Sequence, residues 1–215
     1  MTILPEAYRT WLFDLDDTLY PRSSGVFKAI EQRILEYLAR HLEVDAAGAV
    51  AARARLVGDY GTTLRGLMIE HGIEPRLFTD YVHDVDLSVL VRHEVLDAAL
   101  ARLPGTKVIF TNGTSDHAER VLERLGLAHH FAAIFDIAAG GWVPKPSVAT
   151  YRRLIDQFMV QPGKAIMLDD SPRNLATAKA LGLATVWVTE TVPDTVPEGI
   201  DAMTADLPGW LSALG

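Results

Sequence analysis

The segment Trp11-Leu12-Phe13-Asp14-Leu15-Asp16-Asp17-Thr18 joins an apolar triplet directly to three aspartates. A short apolar run that ends abruptly in polar residues is typical of a buried strand whose carboxyl end faces a ligand site. Two aspartates spaced this way after a strand also have a plain explanation, as a turn or a helix cap. The function therefore depends on what else the chain brings to this strand end.

Residues 21–87, which follow this segment, show helical periodicity and no strand-like run. Apolar residues recur every four positions from Val26 to Leu42, which is the spacing of one helix face. Glycines and a proline between residues 58 and 75 then interrupt the pattern. We therefore expect about four helices inserted after the first strand, forming a cap domain of residues 21–87.

From residue 88 onward, strand-like runs alternate with helical segments. Apolar runs at 107–111, 133–137, 165–168 and 184–188 predict four further strands. This alternation is typical of right-handed βαβ units around a parallel sheet that is covered on both faces. The predicted fold class is therefore α/β, with a Rossmann-like core of residues 1–20 and 88–215 that contains five strands and carries the helical cap.

Composition excludes several classes of function. Twenty basic and 28 acidic residues give a formal charge of −8, which opposes binding to a nucleic-acid polymer. Cysteine is absent, which removes disulfides, thiolate nucleophiles and cysteine-ligated zinc. The sequence has no apolar run of membrane-span length and no signal-peptide pattern at residues 1–11. We expect a cytoplasmic monomer or homodimer with no membrane partner.

Three further polar clusters follow predicted strands: Thr111-Asn112-Gly113, Lys145 between two prolines, and Asp169-Asp170. Each alone has an ordinary explanation as a turn, a loop or a helix cap. The carboxyl ends of parallel strands meet at one edge of a sheet, however, and ligands bind there. Their joint occurrence in this order favours a single site.

Electrostatics predicts which ligand such a site needs. If Asp14, Asp16, Asp169 and Asp170 converge, each carboxylate pair ~4 Å apart costs about 4 kcal/mol at an effective dielectric constant of 20. Such a cluster requires a cation, and oxygen ligands without cysteine or histidine favour Mg²⁺. With Lys145 adding a further positive charge, an anionic phosphate can approach the cluster.

These four ordered motifs resemble those of the haloacid dehalogenase (HAD) superfamily of phosphatases over residues 11–188. Segments 16–20, 60–67, 83–86, 110–113 and 169–174 more narrowly resemble the pyrimidine 5′-nucleotidase branch. The resemblance implies a Mg²⁺-dependent phosphomonoesterase that forms an aspartyl-phosphate and acts on a small phosphorylated metabolite. Pyrimidine nucleoside 5′-monophosphates are the substrates that the branch implies.

The resemblance also implies roles for individual residues. Asp14 is the expected nucleophile and a Mg²⁺ ligand, and Asp16 is the expected acid and base, with its backbone carbonyl on the metal. Thr111 and Asn112 are expected to bind the phosphoryl oxygens, and Lys145 to neutralise charge on nucleophile and phosphate. An acid that also serves as a base benefits from a pKa raised by neighbouring carboxylates, which we expect for Asp16.

The other site residues are less constrained by the motifs. Asp170 is the expected direct Mg²⁺ ligand with Asp169 behind it, and the reverse order stays open. Asp17 replaces the glycine common at this place in the superfamily, so we expect it to have a structural role. Arg65 is a candidate substrate-binding residue in the segment 58–65, which is equally well explained as a turn between helices.

Several alternatives stay open from the sequence. The substrate of a phosphatase of this kind could instead be phosphoglycolate, a sugar phosphate or pyridoxal phosphate. A phosphomutase would use the same aspartyl-phosphate, a haloacid dehalogenase would need Asp14 but neither Asp16 nor a metal, and a binding module would keep only the fold. We expect His117 to cap or pack a helix, and the pair His129-His130 to be structural rather than a metal site.

Overall fold

A parallel sheet of six strands lies at the centre of residues 3–214, the part of the chain that the computed structural model describes. Its strands are β1 (Thr10–Phe13), β2 (Thr106–Phe110), β3 (Ala133–Phe135), β4 (Ala165–Asp169), β5 (Ala184–Val188) and β6 (Ala202–Thr204). They lie side by side in the order β3-β2-β1-β4-β5-β6, and every neighbouring pair is parallel. The predicted α/β fold class is confirmed.

The prediction of five strands was wrong by one, because β6 has no counterpart in the sequence analysis. This strand contains only Ala202, Met203 and Thr204 and pairs with β5 at the edge of the sheet. Three residues are too few to show the alternation by which a strand is recognised.

Helices cover the sheet and form the insertion after β1. They are α1 (Val26–His41), α2 (Ala46–Tyr60), α3 (Thr63–His71), α4 (Pro75–His83), α5 (Glu94–Arg102), α6 (Ser115–Leu125), α7 (Val148–Gln157), α8 (Pro172–Ala180) and α9 (Leu207–Ser212). The four expected inserted helices are α1 to α4, and the cap bounds 21 and 87 stay a prediction. Within residues 3–214, no helix combines the length and the apolar character needed to cross a bilayer.

Local sequence explains where the inserted helices begin. The side chain of Asp45 accepts a hydrogen bond from the backbone N–H of Gly48 at 2.8 Å, which caps α2. Thr62 caps α3 in the same way through the backbone N–H of Arg65. Pro75 occupies the first turn of α4, where its missing N–H costs no hydrogen bond.

Alternate residues of β1 face opposite sides of the sheet. Trp11 and Phe13 belong to one buried apolar cluster, whereas Leu12 belongs to a second. Both faces are therefore packed, as expected for a parallel sheet. Strands β2 and β3 are added on one side of β1, and strands β4 to β6 on the other. The strand order therefore reverses at β1, and a crevice opens at its carboxyl end. Asp14 occupies this position, and its backbone N–H bonds to the Leu168 carbonyl at 2.9 Å.

Candidate active site

A cavity of about 310 Å³ lies between the carboxyl ends of the strands and the inserted helices. Six predicted site residues line it, namely Asp14, Asp16, Thr111, Asn112, Lys145 and Asp170. Asp169 lies directly behind them, fully buried. The four motifs thus meet at one edge of the sheet, as their positions after successive strands predict.

Lys145 is the most completely bonded side chain of the site. Its Nζ atom donates to Oδ1 of Asp14 at 2.7 Å, to the carbonyl of Phe110 at 2.7 Å and to Oδ2 of Asp169 at 2.9 Å. An ammonium group has three N–H donors, so this set satisfies all of them. The Lys145 side chain is 1% exposed, and its charge is therefore fixed beside Asp14 rather than shared with solvent.

The carboxylates of Asp14, Asp169 and Asp170 come together beside this lysine. One oxygen from each lies within 4.8 Å of the others. Asp169 is also bonded to the Asn174 amide at 2.9 Å and to the Ser171 N–H at 2.8 Å. Asp170 lines the cavity instead, so the two neighbouring aspartates have different surroundings.

The pKa values of two of these carboxylates are raised. Burial raises the pKa of Asp14 well above its usual range, and Asp169 and Asp170 add to this against the opposing effect of Lys145. Burial and the charge of Asp169 raise the pKa of Asp170 to about 7. One lysine does not neutralise three carboxylates, of which two are buried and that of Asp170 is partly exposed. A divalent cation bound to hard oxygen ligands would fit this donor set.

Asp16 has a different environment from the one expected. Its Oδ1 atom accepts hydrogen bonds from the Tyr20 hydroxyl at 2.5 Å and from Nε2 of His117 at 2.8 Å. Burial alone would raise the pKa of Asp16, but His117 and Tyr20 outweigh it and the pKa is lowered. The expectation of a raised pKa was wrong, because a histidine rather than another carboxylate lies against Asp16.

The loop after β2 supplies two kinds of group. The Thr111 hydroxyl accepts from the Gly113 N–H at 2.9 Å and lies at the cavity wall. The Asn112 side chain bonds to the backbone of Lys145 at both of its amide atoms, at 2.8 and 3.3 Å. Asn112 thereby fixes the segment that carries Lys145.

Asp17 adopts a left-handed backbone conformation with φ of 58°. Glycine adopts this conformation without strain, which explains physically why a glycine suits this position. The Asp17 side chain lies 3.4 Å from Nη1 of Arg22, and burial raises its pKa to about 6 despite that arginine. These contacts agree with the structural role expected for Asp17.

The inserted helices supply the opposite wall of the cavity. Apolar side chains dominate it, namely Phe27, Ile30, Ile34, Val57, Leu64, Phe78 and Val82. Arg65 does not line the cavity, contrary to the expected substrate-binding role, whereas Arg53 does. One side of the Arg53 guanidinium is bonded to Glu31 at 2.7 Å, and its buried Nε has no hydrogen-bond partner within residues 3–214.

The sequence gives no signal for two features of the site, the position of Arg53 and the contact of His117 with Asp16. Arg53 and Arg55 both lie in α2, and only Arg53 lines the cavity. The ring of His117 is buried and packs on His83, in agreement with the expected packing role, and it also contacts Asp16.

Nε2 of His129 and Nε2 of His130 lie 3.1 and 2.6 Å from Oδ1 of Asp97, and these contacts link α5 to the turn before β3. The three side chains are also close enough together to hold a metal ion, so the structural role of the histidine pair stays a prediction.

The fold and the site define this protein as an α/β enzyme with a carboxylate-rich centre beneath a helical insertion. The chain belongs to the haloacid dehalogenase-like hydrolases, whose family model matches residues 8–182. The predicted HAD-type hydrolase is thereby confirmed at the level of the family.

Similar proteins include phosphatases. The phosphoglycolate phosphatase of Rhodospirillum rubrum is 29% identical over 191 residues, covering 81% of this chain and 77% of that protein. The phosphoserine phosphatase of Thermus thermophilus is 33% identical over 81 residues, covering 37% of this chain and 32% of that protein. The HAD phosphatase of Thermococcus onnurineus has a similar fold, with a TM-score of 0.64 at 19% identity over 96% of this chain and 98% of that one. The family and the two phosphatases related in sequence support a HAD-type phosphatase.

Proposed function

We propose that this protein is a Mg²⁺-dependent phosphomonoesterase that hydrolyses small phosphate esters through an aspartyl-phosphate on Asp14. The observation that carries the proposal is the position of Asp14, which contacts Lys145 at 2.7 Å in the cavity that Asp16 and Asp170 also line. Phosphoryl transfer requires an in-line nucleophile and charge neutralisation more than any special group. This arrangement offers both, together with an acid.

In the first step, a carboxylate oxygen of Asp14 attacks phosphorus and the bond between phosphorus and the ester oxygen breaks. Asp16, which must carry a proton at this stage although its pKa is lowered, gives that proton to the departing alkoxide, which leaves as the alcohol. Lys145 stays beside Asp14 and offsets the negative charge that the phosphate brings. The products of this step are the alcohol, the phosphorylated Asp14 and the Asp16 carboxylate.

In the second step, water enters in place of the alcohol. The Asp16 carboxylate takes a proton from this water, whose oxygen attacks phosphorus, and the bond to Asp14 breaks. Inorganic phosphate leaves, and both aspartates regain their initial states. Residues 21–87 act as a cap that excludes water during the first step and admits it for the second.

Asp14 and Asp170 would hold Mg²⁺ through their carboxylates and Asp16 through its backbone carbonyl, with Asp169 orienting Lys145 behind them. The raised pKa values of Asp14 and Asp170 support this, because the single lysine beside them leaves the carboxylate cluster with an excess of negative charge. Bound Mg²⁺ supplies positive charge that neutralises the carboxylates and the phosphate.

Thr111 and Asn112 bind the phosphoryl oxygens in this proposal. Thr111 contributes its hydroxyl at the cavity wall. Asn112 contributes its backbone N–H, since both polar atoms of its side chain are bonded to the backbone of Lys145. A backbone donor at this point suits a phosphate, whose charge-assisted hydrogen bonds are strong.

Pyrimidine nucleoside 5′-monophosphates are the substrates we propose, and phosphoglycolate is the second candidate because a phosphoglycolate phosphatase is a relative. A cavity of about 310 Å³ suits a small metabolite. Its apolar wall, with Phe27, Phe78 and the polar group of Arg53, favours a flat ring that carries hydrogen-bond acceptors. Cytoplasmic location and a monomeric or homodimeric state stay predictions.

Phosphate release tests the proposal. Uridine and cytidine monophosphates, phosphoglycolate, sugar phosphates and pyridoxal phosphate are assayed with Mg²⁺ and with EDTA, beside the Asp14→Asn variant. We expect Mg²⁺-dependent release that Asp14→Asn reduces to below about 1% of wild type while the fold is kept. Activity on 2-haloacids that resists EDTA would instead favour a dehalogenase, and return of phosphate to substrate a phosphomutase.

A further inference from the structure

We propose that Tyr20 and His117 hold Oδ1 of Asp16, so that the proton which Asp16 transfers is confined to Oδ2, and that His83 of the inserted helices keeps His117 in place. The three residues are positioning residues, since they act on the reaction through Asp16. The inference rests on the proposed function, in which Asp16 is the acid.

Both partners of Oδ1 are hydrogen-bond donors. Tyr20 donates its hydroxyl at 2.5 Å, and Nε2 of His117 lies at 2.8 Å. The other ring nitrogen of His117, Nδ1, is buried without a hydrogen-bond partner among the described residues. A proton on Nδ1 would be an unsatisfied buried donor, whereas a proton on Nε2 forms a hydrogen bond with Oδ1. His117 therefore donates, and Oδ1 carries two donors.

The second oxygen of Asp16 faces the loop proposed to bind phosphate. A methyl group placed on Gly113 would lie 3.7 Å from Oδ2 of Asp16 and 3.3 Å from the Thr111 hydroxyl oxygen. The same methyl group would lie 3.3 Å from Cδ2 of His117. Oδ2 thus lies beside the loop at which the proposed function places the phosphoryl group, and two donors on Oδ1 leave Oδ2 as the oxygen that carries the acidic proton.

His83 continues this arrangement into the inserted helices. It is the last residue of α4, and its ring stacks on His117 with centroids 4.5 Å apart and an interplanar angle of 12°. Its Nδ1 lies 3.2 Å from the Thr114 hydroxyl, and its carbonyl accepts from Arg120 at 3.0 Å. Helix α4 is therefore fixed against the first turn of α6, from which the His117 side chain extends to Asp16.

The consequence is a dependence on the leaving group. An acid that is poorly aimed slows loss of a basic alkoxide or phenoxide, which needs the proton, more than loss of a weakly basic nitrophenoxide. Phenyl phosphate and 4-nitrophenyl phosphate have similar shapes and differ in this basicity. The ratio of kcat/KM for phenyl phosphate to kcat/KM for 4-nitrophenyl phosphate therefore measures how well the proton is delivered, because kcat/KM covers the steps up to release of the alcohol.

The experiment compares both esters with Mg²⁺ for wild type, Tyr20→Phe, His117→Ala, His117→Gln, His83→Ala and Asp16→Asn. We expect Tyr20→Phe and His117→Ala to lower kcat/KM for phenyl phosphate about tenfold more than for 4-nitrophenyl phosphate. His83→Ala should give a smaller shift in the same direction. His117→Gln should recover part of the ratio, because its amide N–H can again donate to Oδ1.

Asp16→Asn separates the possible failures. If Asp16→Asn shifts the ratio whereas Tyr20→Phe and His117→Ala slow both esters equally, the positioning role is wrong and the proposed function stands. If the wild type releases phosphate from neither ester, the proposed function is contradicted for these esters. If the wild type is active and Asp16→Asn leaves the ratio unchanged, the role of Asp16 as acid is wrong. Tyr20→Phe removes a single oxygen, so it keeps the test decisive if His117→Ala does not fold.

Discussion

Nζ of Lys145 lies 2.7 Å from Oδ1 of Asp14, although 131 residues separate the two in the chain. Both side chains are buried, and Asp169 shares the same ammonium group. A buried charge that loses its partner destabilises a fold by about 3–5 kcal/mol, because the remaining charge is neither hydrated nor compensated. Lys145 thus has a structural and a proposed catalytic role that different measurements can separate.

Lys145→Met should lower both activity and stability. We expect phosphate release to fall by about 10²- to 10³-fold, as for the loss of one charge-stabilising donor. Without Mg²⁺, the free energy of unfolding in urea should fall by about 3–5 kcal/mol, since Asp14 and Asp169 are left unpaired. Added Mg²⁺ should restore part of this stability, because a cation replaces the missing charge.

Lys164→Met is the matched control for this variant. Lys164 is exposed, so its replacement should change the free energy of unfolding by no more than about 0.5 kcal/mol. Equal stability of Lys145→Met and Lys164→Met without Mg²⁺ would contradict the buried ion pair.

Asp169 and Asp170 should differ when each is replaced by alanine. Asp170→Ala should raise the Mg²⁺ concentration for half-maximal activity by about tenfold or more, because Asp170 is the proposed direct ligand. Asp169→Ala should mainly destabilise the fold, since Lys145, Ser171 and Asn174 lose a buried acceptor. Mg²⁺ titration of activity and urea unfolding check the two effects. Equal effects on the Mg²⁺ requirement, or the opposite order, would overturn the proposed ligand assignment.

Arg53 rather than Arg65 should influence substrate binding. Arg53→Met should raise KM for uridine monophosphate by about tenfold, as for the loss of one hydrogen bond to a charged donor, while KM for phenyl phosphate changes little. Arg65→Met is the control, because Arg65 does not line the cavity. Steady-state kinetics on both esters measure the difference. A larger effect of Arg65→Met would return the specificity role to the segment 58–65.

The part of the site that is predictable from sequence is the part that the sheet determines. Asp14, Thr111, Lys145 and Asp170 follow the strands or open the helices at one edge, so the parallel order alone brings them together. The residues within each motif are close together in sequence, so each motif can be recognised in a short stretch of the chain. This explains why motifs more than 130 residues apart could be assigned to one cavity.

The features that escaped prediction depend on side-chain packing between elements. The contact of His117 with Asp16 spans 101 residues and depends on how α6 lies against the loop after β1. It reverses the expected direction of the Asp16 pKa, because a donor replaces the like charge that had been assumed. Likewise, only the packing of α2 and α3 distinguishes Arg53 from Arg65, since both are arginines within helices.

Asp201 offers a test of stability away from the proposed site. It accepts from Lys179 at 2.6 Å and from the Thr185 N–H at 3.0 Å, which ties α8 and β5 to the turn before β6. Burial alone would raise the pKa of Asp201, but Lys179 and Thr185 outweigh it and the pKa lies below the ordinary 3.8. The folded protein therefore binds this proton less tightly than the unfolded chain, and the stabilisation exists above the unfolded pKa.

Asp201→Asn should consequently destabilise the protein near neutral pH by about 1–2 kcal/mol, as for a hydrogen bond to a charged group. The difference from wild type should shrink as the pH falls below the ordinary aspartate pKa toward the lowered value, because the wild-type carboxylate then takes up a proton. Urea unfolding of both proteins between pH 7 and the acid limit of folding checks this, with Asp206→Asn as a control of the same chemistry at a more exposed helix cap. A difference that stays constant with pH would contradict the role of the ion pair with Lys179. It would show that asparagine differs from a protonated aspartate at this position, so that Asp201 stabilises the fold through its shape rather than its charge.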